Sequence, residues 1–446
     1  MDTIKSNFEK IANLARQDGA KVEMLVSGGE ELSIGYQKKK LDSFESTQSQ
    51  MAGIRVILGA SQGYAYTENL NDESLLRTYR DALANAKTVQ KQGATVSLMA
   101  PKAITPMSNL YNVQDVPMNK KLDIARLLEE QCLEKDPRIS AVPYSGYSEV
   151  SSFKRILNSE GMDQEFKQNY YSGYAYPLAK DGESSKMDGE GFFARSFDDI
   201  KVSEVTEKGV KKAVSRLNAT KLTTGNYAVV IDRDQFSTVL QMIYSYFSAK
   251  QVDEGKSLFK GKLGQKIASD KFQLLDDPFE ARGTATRPFD DEGAPSQKTV
   301  LFENGVLKNL LTNLEYAHKM NLPHTSHGRR SPASQLEIAP TNLVVAKGTK
   351  SLQDLLASQT KVVHLTEFAG GLHAGFKEST GDFSMPAEGF LYENGKCVGP
   401  IDQFVMSGNV LELLRDIEDL GNDYNKPGSS MICPDVLIKS LSFAGA

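Results

Sequence analysis

Hydrophobic residues recur along this chain at two spacings, one typical of helices and one typical of strands. Apolar residues at Ile4, Phe8, Ile11 and Leu14 are three or four positions apart, which predicts an amphipathic helix within residues 1–19. The same spacing predicts further helices at 75–89, 122–133, 202–217 and 236–247. Alternating or short apolar segments predict strands over 22–67, over 147–197 and along much of the chain beyond residue 278.

The order of these elements predicts the fold class. Helices and strands follow one another in blocks, without the regular strand–helix alternation that builds a parallel sheet. We therefore predict an α+β fold with two domains, each with a largely antiparallel sheet and flanking helices. The polar stretch 218–226 is predicted to be the linker between an N-terminal α+β domain, residues 1–220, and a C-terminal β-rich domain, residues 221–446.

Glycine and asparagine mark the predicted hairpin turns. Gly28-Gly29 and the segment 59–62 each stand between two strand patterns, which indicates two hairpins in the first half of the chain. In the second half, Asn304-Gly305 and Asn394-Gly395 each separate two apolar strands. Asn-Gly is the strongest short signal for a hairpin, because a type I′ turn needs a positive φ at both central residues.

Overall charge and composition exclude several classes of partner. The chain has 52 Lys and Arg against 57 Asp and Glu, a formal charge of −5, whereas nucleic-acid binding usually shows as a basic excess. We therefore expect no nucleic acid partner. No apolar run approaches the roughly 18 residues that would cross a bilayer, so no membrane partner is expected either. Three scattered cysteines fit a reducing compartment, and we predict a cytoplasmic location.

Two glycine motifs match catalytic or cofactor signatures in the wrong structural context. Residues 59–63 match the G-x-S-x-G nucleophile elbow, which requires a helix after the serine, but a strand pattern follows here. Residues 189–194 match G-x-G-x-x-A, which must open a helix to bind a dinucleotide, but strand-like alternation follows here as well. We interpret both as turns that lead into strands.

Histidines and carboxylates give the candidate metal ligands. The five histidines all fall in one part of the chain, at His318, His324, His327, His364 and His373. The pair His324-x-x-His327, with Asp382 or Glu388, has the residue types for one metal ion, although the two arginines that follow would oppose a cation. Hydrogen-bonded or surface histidines are the competing interpretation. The acidic run 290–292 has the composition either to bind Ca²⁺ or to cap a turn.

Several segments, in order along nearly the whole chain, resemble the TldD/PmbA family. Gly283 followed by Phe289-Asp290-Asp291-Glu292-Gly293 and by the strand and turn at 301–307 is similar to the signature of that family. The segments 255–259 and 261–269 carry the same resemblance, as do 55–59 and 63–70 near the start of the chain.

This resemblance implies a particular place in a two-subunit enzyme. Members of the family are described as paired subunits of a cytoplasmic metalloprotease, in which the TldD type carries H-E-x-x-x-H on a helix that binds zinc. The matching helix here, 236–249, contains neither His nor Glu. The chain therefore resembles the PmbA (TldE) type, which lacks the zinc motif and has been called a modulator of DNA gyrase. We expect no catalytic residue, metal ligand or cofactor in this chain, and zinc in a TldD-type partner.

The function that the resemblance implies is that of a non-catalytic subunit, which encloses extended or unfolded peptides and presents them to the zinc-bearing subunit. The expected partners are a TldD-type subunit or a second copy of the chain, and peptide substrate. Small residues permit close approach of a peptide backbone, so we expect the substrate to be contacted by Gly370, Gly371, His373, Gly375, Thr380 and Asp382.

Two other functions stay open at this point. The first is a self-sufficient metal-dependent hydrolase that uses the histidines of 318–373. The second is a non-enzymatic, homodimeric regulatory or binding protein. On the leading interpretation the isolated chain is inactive as an enzyme.

Overall fold

The computed structural model describes residues 2–88, 97–370 and 375–445. The helices are α1 (Thr3–Gln17), α2 (Asp72–Thr88), α3 (Met118–Lys135), α4 (Val202–Ser215), α5 (Arg233–Ile243), α6 (Ala249–Asp253), α7 (Leu314–Lys319), α8 (Leu352–Leu356) and α9 (Val410–Arg415). The strands of the first half are β1 (Lys21–Gln37), β2 (Lys40–Leu58), β3 (Ser61–Thr67), β4 (Ile139–Asn158), β5 (Asp163–Asp181), β6 (Ser184–Met187) and β7 (Glu190–Ala194).

The strands of the second half are mostly shorter. They are β8 (Thr220–Lys221), β9 (Gly225–Ile231), β10 (Leu274–Asp276), β11 (Thr299–Glu303), β12 (Val306–Leu307), β13 (Gly328–Arg329), β14 (Glu337–Ile338), β15 (Leu343–Val345), β16 (Lys361–Phe368), β17 (Phe376–Lys377), β18 (Asp382–Glu393), β19 (Lys396–Asn409), β20 (Ile417–Leu420), β21 (Met431–Ile432) and β22 (Val436–Ala444).

The first sheet is antiparallel, with the order β3-β2-β1-β4-β5-β6 and with β7 paired to β5. The strand β3 pairs only with residues 52–58 of β2. Residues 40–51 of β2 therefore have β1 on one side and no strand on the other within the described part of the chain.

Helices cover one face of this sheet at both of its ends. One end packs on α1 and α2 around buried residues such as Met24 and Ile54, and the other end packs on α3 and α4 around residues such as Ile34. Side chains alternate between the two faces of a strand. Glu23 and Leu25 consequently point to the opposite face, where they contact the C-terminal half of the chain.

The second large sheet contains a closed ring of strands. In it β16 pairs with β9 and β18, β9 pairs with β22, β22 pairs with β19, and β19 returns to β18. Apolar side chains of the ring and of α5 form the largest hydrophobic cluster among the described residues. A smaller sheet, β12-β11-β10-β15-β21, packs into the same cluster.

The structure confirms the predicted α+β class and most of the predicted elements. The two Asn-Gly turns have the expected positive φ values: 49° and 74° at Asn304 and Gly305, and 51° and 75° at Asn394 and Gly395. Gly59 and Ala60 form the hairpin turn between β2 and β3, and residues 61–63 already belong to β3. Residues 190–194 are β7 itself, so both glycine motifs run into strands.

One sequence prediction was wrong. Gly28-Gly29 is no turn, because β1 continues through it and the hairpin turns at Lys38-Lys39. A Cβ on Gly29 would lie 2.4 Å from the carbonyl oxygen of Ser151, so glycine is required there by a neighbouring strand. The polar stretch 218–226, predicted to be a linker, contains β8 and the start of β9. The boundary between domains 1–220 and 221–446 stays a prediction.

Among the described residues, no helix combines the length and the apolar character needed to cross a bilayer.

Candidate functional site

The segment 233–253, where relatives are expected to bind zinc, is broken into two helices by a tighter turn. The side chain of Asp232 caps α5 by accepting a hydrogen bond of 2.8 Å from the Asp234 N–H. The chain then passes through a 3₁₀ turn, Tyr244–Phe247, before Ser248 caps α6. The helix predicted over 236–247 therefore ends at residue 243 as an α-helix.

This segment offers hydroxyl and phenol groups at its surface. The Ser245 hydroxyl donates a hydrogen bond of 2.6 Å to the Glu378 carboxylate. The Tyr246 hydroxyl donates one of 2.5 Å to the Glu378 carbonyl oxygen, and Tyr244 is 42% exposed. Residues 233–253 contain no His, Cys or Glu. Their side chains do not fit a zinc ion, which prefers imidazole and thiolate ligands.

A polar loop lies directly beside this turn. The Thr380 hydroxyl donates to one carboxylate oxygen of Asp382 at 2.7 Å, and the Asn409 side chain donates to the other at 2.9 Å. These two hydrogen bonds, the Asn409 bond first, hold the pKa of Asp382 below its ordinary value. The structure thus places an anionic carboxylate next to the contact between Ser245 and Glu378.

The residues predicted to contact substrate are only partly brought together. Thr380 and Asp382 are hydrogen-bonded neighbours, as described above, and both are exposed. Gly375 lies against β18, where a Cβ would come 1.9 Å from the Ser384 carbonyl oxygen. Gly370 follows β16 with a φ of +80°. Gly371 and His373 lie outside the described residues, and substrate contact stays a prediction for all six positions.

Sequence reasoning missed Ser245 and Glu378 as parts of this surface. They are 133 residues apart in the chain and carry no spacing signal. The only available hint was that Glu378 stands two residues before Thr380 in a polar stretch.

The described histidines do not converge on one point. His318 is exposed at the end of α7, and His364 is buried with its Nε2 3.6 Å from Asp232. His327 is buried, with Nε2 2.9 Å from Asp276 and Nδ1 2.9 Å from the Thr325 hydroxyl. Both nitrogens of His327 therefore have protein partners, which favours the interpretation of a hydrogen-bonded histidine at that position.

His324 belongs to a separate group with two buried carboxylates. Among the described residues, Asp290, Glu292 and His324 form the group whose potential ligand atoms all lie within 4.8 Å of one another. Asp290 accepts hydrogen bonds from the backbone N–H groups of residues 292, 294 and 328. A carboxylate has about four acceptor positions, so three are occupied by backbone. The acidic run thus holds a turn in place.

Within this group, burial and the charge of Glu292 both affect the pKa of Asp290. Burial, followed by the nearby charge of Glu292, raises the pKa of Asp290 to about 7. Asp291 is directed to the other side of the turn, where it accepts a hydrogen bond of 2.6 Å from Lys154 in the first sheet.

Two large cavities lie between the first sheet and the C-terminal half. The larger, of 1010 Å³, is lined by α4, β7, the start of α5 and the end of β16. Its charged groups are extensively paired: Lys212 lies 3.0 Å from Glu190, and Arg216 lies 2.8 Å from Asp188 and also donates to Glu367. The second cavity, of 800 Å³, lies between the middle of the first sheet and the segments 284–287 and 329–333.

Comparison with known families assigns the chain. The three models of the PmbA/TldA metallopeptidases match it in succession: domain 1 over residues 22–86, the central domain over 111–217 and the C-terminal domain over 224–445. The chain therefore belongs to the PmbA/TldD metallopeptidase family, as its sequence resemblance implies.

Individual relatives agree with this assignment. A metalloprotease PmbA homolog from Haemophilus influenzae is 26% identical over 437 residues, which cover 97% of this chain and 94% of that protein. A metalloprotease TldD homolog from Buchnera aphidicola is 25% identical over 85% of this chain and 81% of its own length. The crystal structure of a proposed modulator of a DNA gyrase from Thermotoga maritima superposes with a TM-score of 0.91 at 28% identity, covering 99% of this chain and 100% of that one.

Proposed function

We propose that this chain is a non-catalytic subunit of a TldD/TldE-type metalloprotease, which encloses extended peptides and presents them to a zinc-bearing partner in the cytoplasm. The observation that carries the proposal is the composition of residues 233–253. The chain belongs to a metallopeptidase family, yet these residues include no imidazole, thiolate or glutamate side chain. Without such a ligand set this segment cannot hold a zinc ion that activates water.

The surface beside this segment supports a role in substrate contact. Ser245, Glu378, Thr380 and Asp382 place hydroxyl and carboxylate groups at an exposed edge of the C-terminal half. These groups can accept hydrogen bonds from the backbone N–H groups of a peptide irrespective of its side chains. Binding of that kind tolerates many sequences, which suits the breakdown of unfolded segments.

The first sheet offers a second element that suits an extended chain. Along one edge, residues 40–51 of β2 pair with no strand of the described part of the chain, and they are mostly polar. An extended segment of a peptide or of another subunit can add to such an edge as a further strand. In the C-terminal half, the long strands β18 and β19 pair with each other and close the ring. The long edge proposed for strand addition is therefore that of β2, in the N-terminal half.

The decisive experiment is reconstitution. The chain, a TldD-type subunit from the same cells, and their mixture are assayed for cleavage of an unfolded polypeptide, and zinc is measured in each sample. We expect a mixed complex that is active and contains zinc, and an isolated chain that is inactive and free of stoichiometric zinc. Replacing the glutamate of the partner's H-E-x-x-x-H motif by glutamine is the matched control, because it should abolish activity without preventing assembly.

The same samples separate the alternatives. Chelator-sensitive hydrolysis by the isolated chain, with stoichiometric zinc that is lost in His324→Ala, would establish a self-sufficient hydrolase instead. A stable homodimer that never joins a TldD-type subunit would support the regulatory function.

A further inference from the structure

The 800 Å³ cavity has two chemically different walls. One wall is the face of the first sheet, where Gly28, Gly29 and Ser151 bring backbone and hydroxyl groups to the surface. The other wall comes from the C-terminal half and carries Arg287 and Arg329. The volume is within the range of about 300–1,000 Å³ that is typical of ligand sites.

Arg287 is a buried cation that has no hydrogen-bond partner in the part of the chain that the structure describes. The residue is only 3% exposed. Its Nε, Nη1 and Nη2 atoms have no acceptor within hydrogen-bond distance among the described residues. A guanidinium group has five N–H donors in a fixed planar fork. Burial of such a group without partners is costly, and an anion bound beside it would supply the missing acceptors.

The nearby carboxylates are already engaged by other groups. One oxygen of Asp291 accepts from Lys154 at 2.6 Å, and the other accepts from the Arg330 N–H at 2.8 Å. Asp290 accepts three backbone hydrogen bonds, as described above. Both carboxylates attract Arg287 electrostatically, but neither accepts a hydrogen bond from it.

Arg329 adds a second positive charge on the same wall. It is exposed to the cavity, and the described residues provide no ion pair for it. Arg287 and Arg329 repel each other electrostatically. The wall therefore has two guanidinium groups whose mutual repulsion would be relieved by an anion between or beside them.

We infer that this cavity binds a carboxylate group of a peptide, with Arg287 as the principal donor and Arg329 as the second. Arginine recognises a carboxylate through two parallel hydrogen bonds. Glu30, Glu31 and Glu68 line the sheet side of the cavity, and this combination of an acidic and a basic wall suits a peptide, which carries both signs of charge. That the ligand is a peptide rests on the proposed function, whereas the anion site itself does not.

The test uses the full chain and calorimetric titration with three short peptides. The first has a free C-terminal carboxylate, the second is its C-terminal amide, and the third is the amide with one internal glutamate. We expect the amide without glutamate to bind at least tenfold more weakly than the free acid. If the amide with the glutamate bound as tightly as the free acid, a side-chain carboxylate would occupy the site as well as a C-terminal carboxylate does. Equal binding of all three peptides would overturn the inference.

Variants of the two arginines complete the test. We expect Arg287→Met to weaken binding of the free-acid peptide at least tenfold and to raise the Tm, because it removes an unpartnered buried charge. A lower Tm with unchanged binding would show that Arg287 has only a structural role. Arg329→Gln changes an exposed side chain, so it keeps the test valid if Arg287→Met fails to fold. We expect this variant to bind the free-acid peptide at least threefold more weakly. Arg126→Gln on α3 is the control and should leave binding of the free-acid peptide unchanged.

Inorganic phosphate is the remaining probe. Phosphate that binds as tightly as the free-acid peptide, with the same dependence on Arg287, would overturn the assignment to a peptide. The proposed function is tested separately: loss of carboxylate binding in an Arg329→Gln complex that still degrades polypeptide at the normal rate would support the anion site but overturn its assignment to the peptide substrate. Normal carboxylate binding in an inactive mixed complex would refute only the subunit function.

Discussion

The Ser245 hydroxyl donates a hydrogen bond of 2.6 Å to the Glu378 carboxylate, and this contact joins the turn after α5 to the loop before β18. The neighbouring Tyr246 hydroxyl donates to the carbonyl oxygen of the same glutamate. In a family whose catalytic members are expected to hold zinc on this segment, the corresponding surface here is organised by hydrogen bonds between protein groups.

Loss of the Tyr246 contact is expected to loosen this loop. Tyr246→Phe removes a buried hydroxyl and should lower the free energy of unfolding by about 1 kcal/mol. Ser245→Ala removes a partly exposed hydrogen bond and should cost less, about 0.5 kcal/mol. Urea unfolding of both variants measures the difference. If the two variants were equally stable, Tyr246 would not be the main anchor of the loop.

Substitution of Gly375 should disturb the hairpin that carries Thr380 and Asp382. In Gly375→Ala the new Cβ would lie 1.9 Å from the Ser384 carbonyl oxygen, so the strands must separate. We expect a loss of about 1–3 kcal/mol in stability and weaker peptide degradation by the mixed complex. Gly225→Ala is the matched control, because its nearest contact would be an ordinary 3.6 Å. Unchanged stability and unchanged peptide degradation in Gly375→Ala would show that the hairpin does not position substrate.

Arg216 should be important for holding the two halves of the chain together. It lies at the end of α4, is buried, and contacts Asp188 on the N-terminal side and Glu367 and Glu388 on the C-terminal side. Arg216→Ala removes the cation that pairs with Asp188 and Glu367, whereas Glu388 keeps its contact with Lys186, and the change should cost about 2–3 kcal/mol.

Arg126 provides the comparison for that experiment. It pairs with Asp123 and Glu130 on the exposed surface of α3, where truncation to alanine should cost at most about 1 kcal/mol. Thermal unfolding at low and high salt measures both variants. Similar costs for Arg216→Ala and Arg126→Ala would contradict a structural role for the buried contact.

The raised pKa of Asp290 predicts an unusual pH dependence. The pKa is about 7 in the folded chain against an ordinary value of 3.8, so the folded state retains a proton that the unfolded state loses. The stabilisation that this proton contributes is complete below pH 3.8 and is lost as the pH rises through 7. The contribution of this group to stability should fall by up to about 1.4 kcal/mol for each pH unit within that window.

Asp290→Asn isolates this contribution, because the amide stays neutral. Relative to the natural chain, the variant should gain stability as the pH rises from 4 to 7, as measured by urea unfolding at several pH values. Asp382→Asn is the control: the pKa of Asp382 is lowered, so its effect belongs to acidic pH, below its ordinary value of 3.8. A stability difference between the natural chain and Asp290→Asn that does not vary with pH would mean that Asp290 is ionised throughout.

Features of the fold that are set by local sequence could be predicted. The helices follow from apolar spacing, and the turns at Asn304-Gly305 and Asn394-Gly395 follow from the residues that tolerate positive φ. Lys38-Lys39 adopts the same kind of backbone, with φ values of 53° and 59°, yet lysine carries no turn signal. The pairing of β1 with β2 places the turn there, and the Glu129 carboxylate accepts hydrogen bonds from the N–H groups of both lysines.

The candidate surfaces depend on contacts between distant segments, and for this reason the sequence disclosed them only in part. The Thr380 and Asp382 pair is two residues apart and was accessible to sequence reasoning. Ser245 and Glu378 meet only because the strand ring packs around α5. Arg287 lies close to the acidic run 290–292, which was a candidate site from the sequence. Its lack of hydrogen-bond partners among the described residues can be seen only in the three-dimensional structure.

The short passage between the two halves has a consequence for how the molecule would respond to cleavage. Only residues 216–219 separate the end of α4 from β8, while Glu23 meets Arg330 and Lys154 meets Asp291 across the junction. The covalent bond at this passage is therefore not what holds the halves in place. A chain nicked there would still migrate as one particle on gel filtration, and its two fragments would separate only in denaturant.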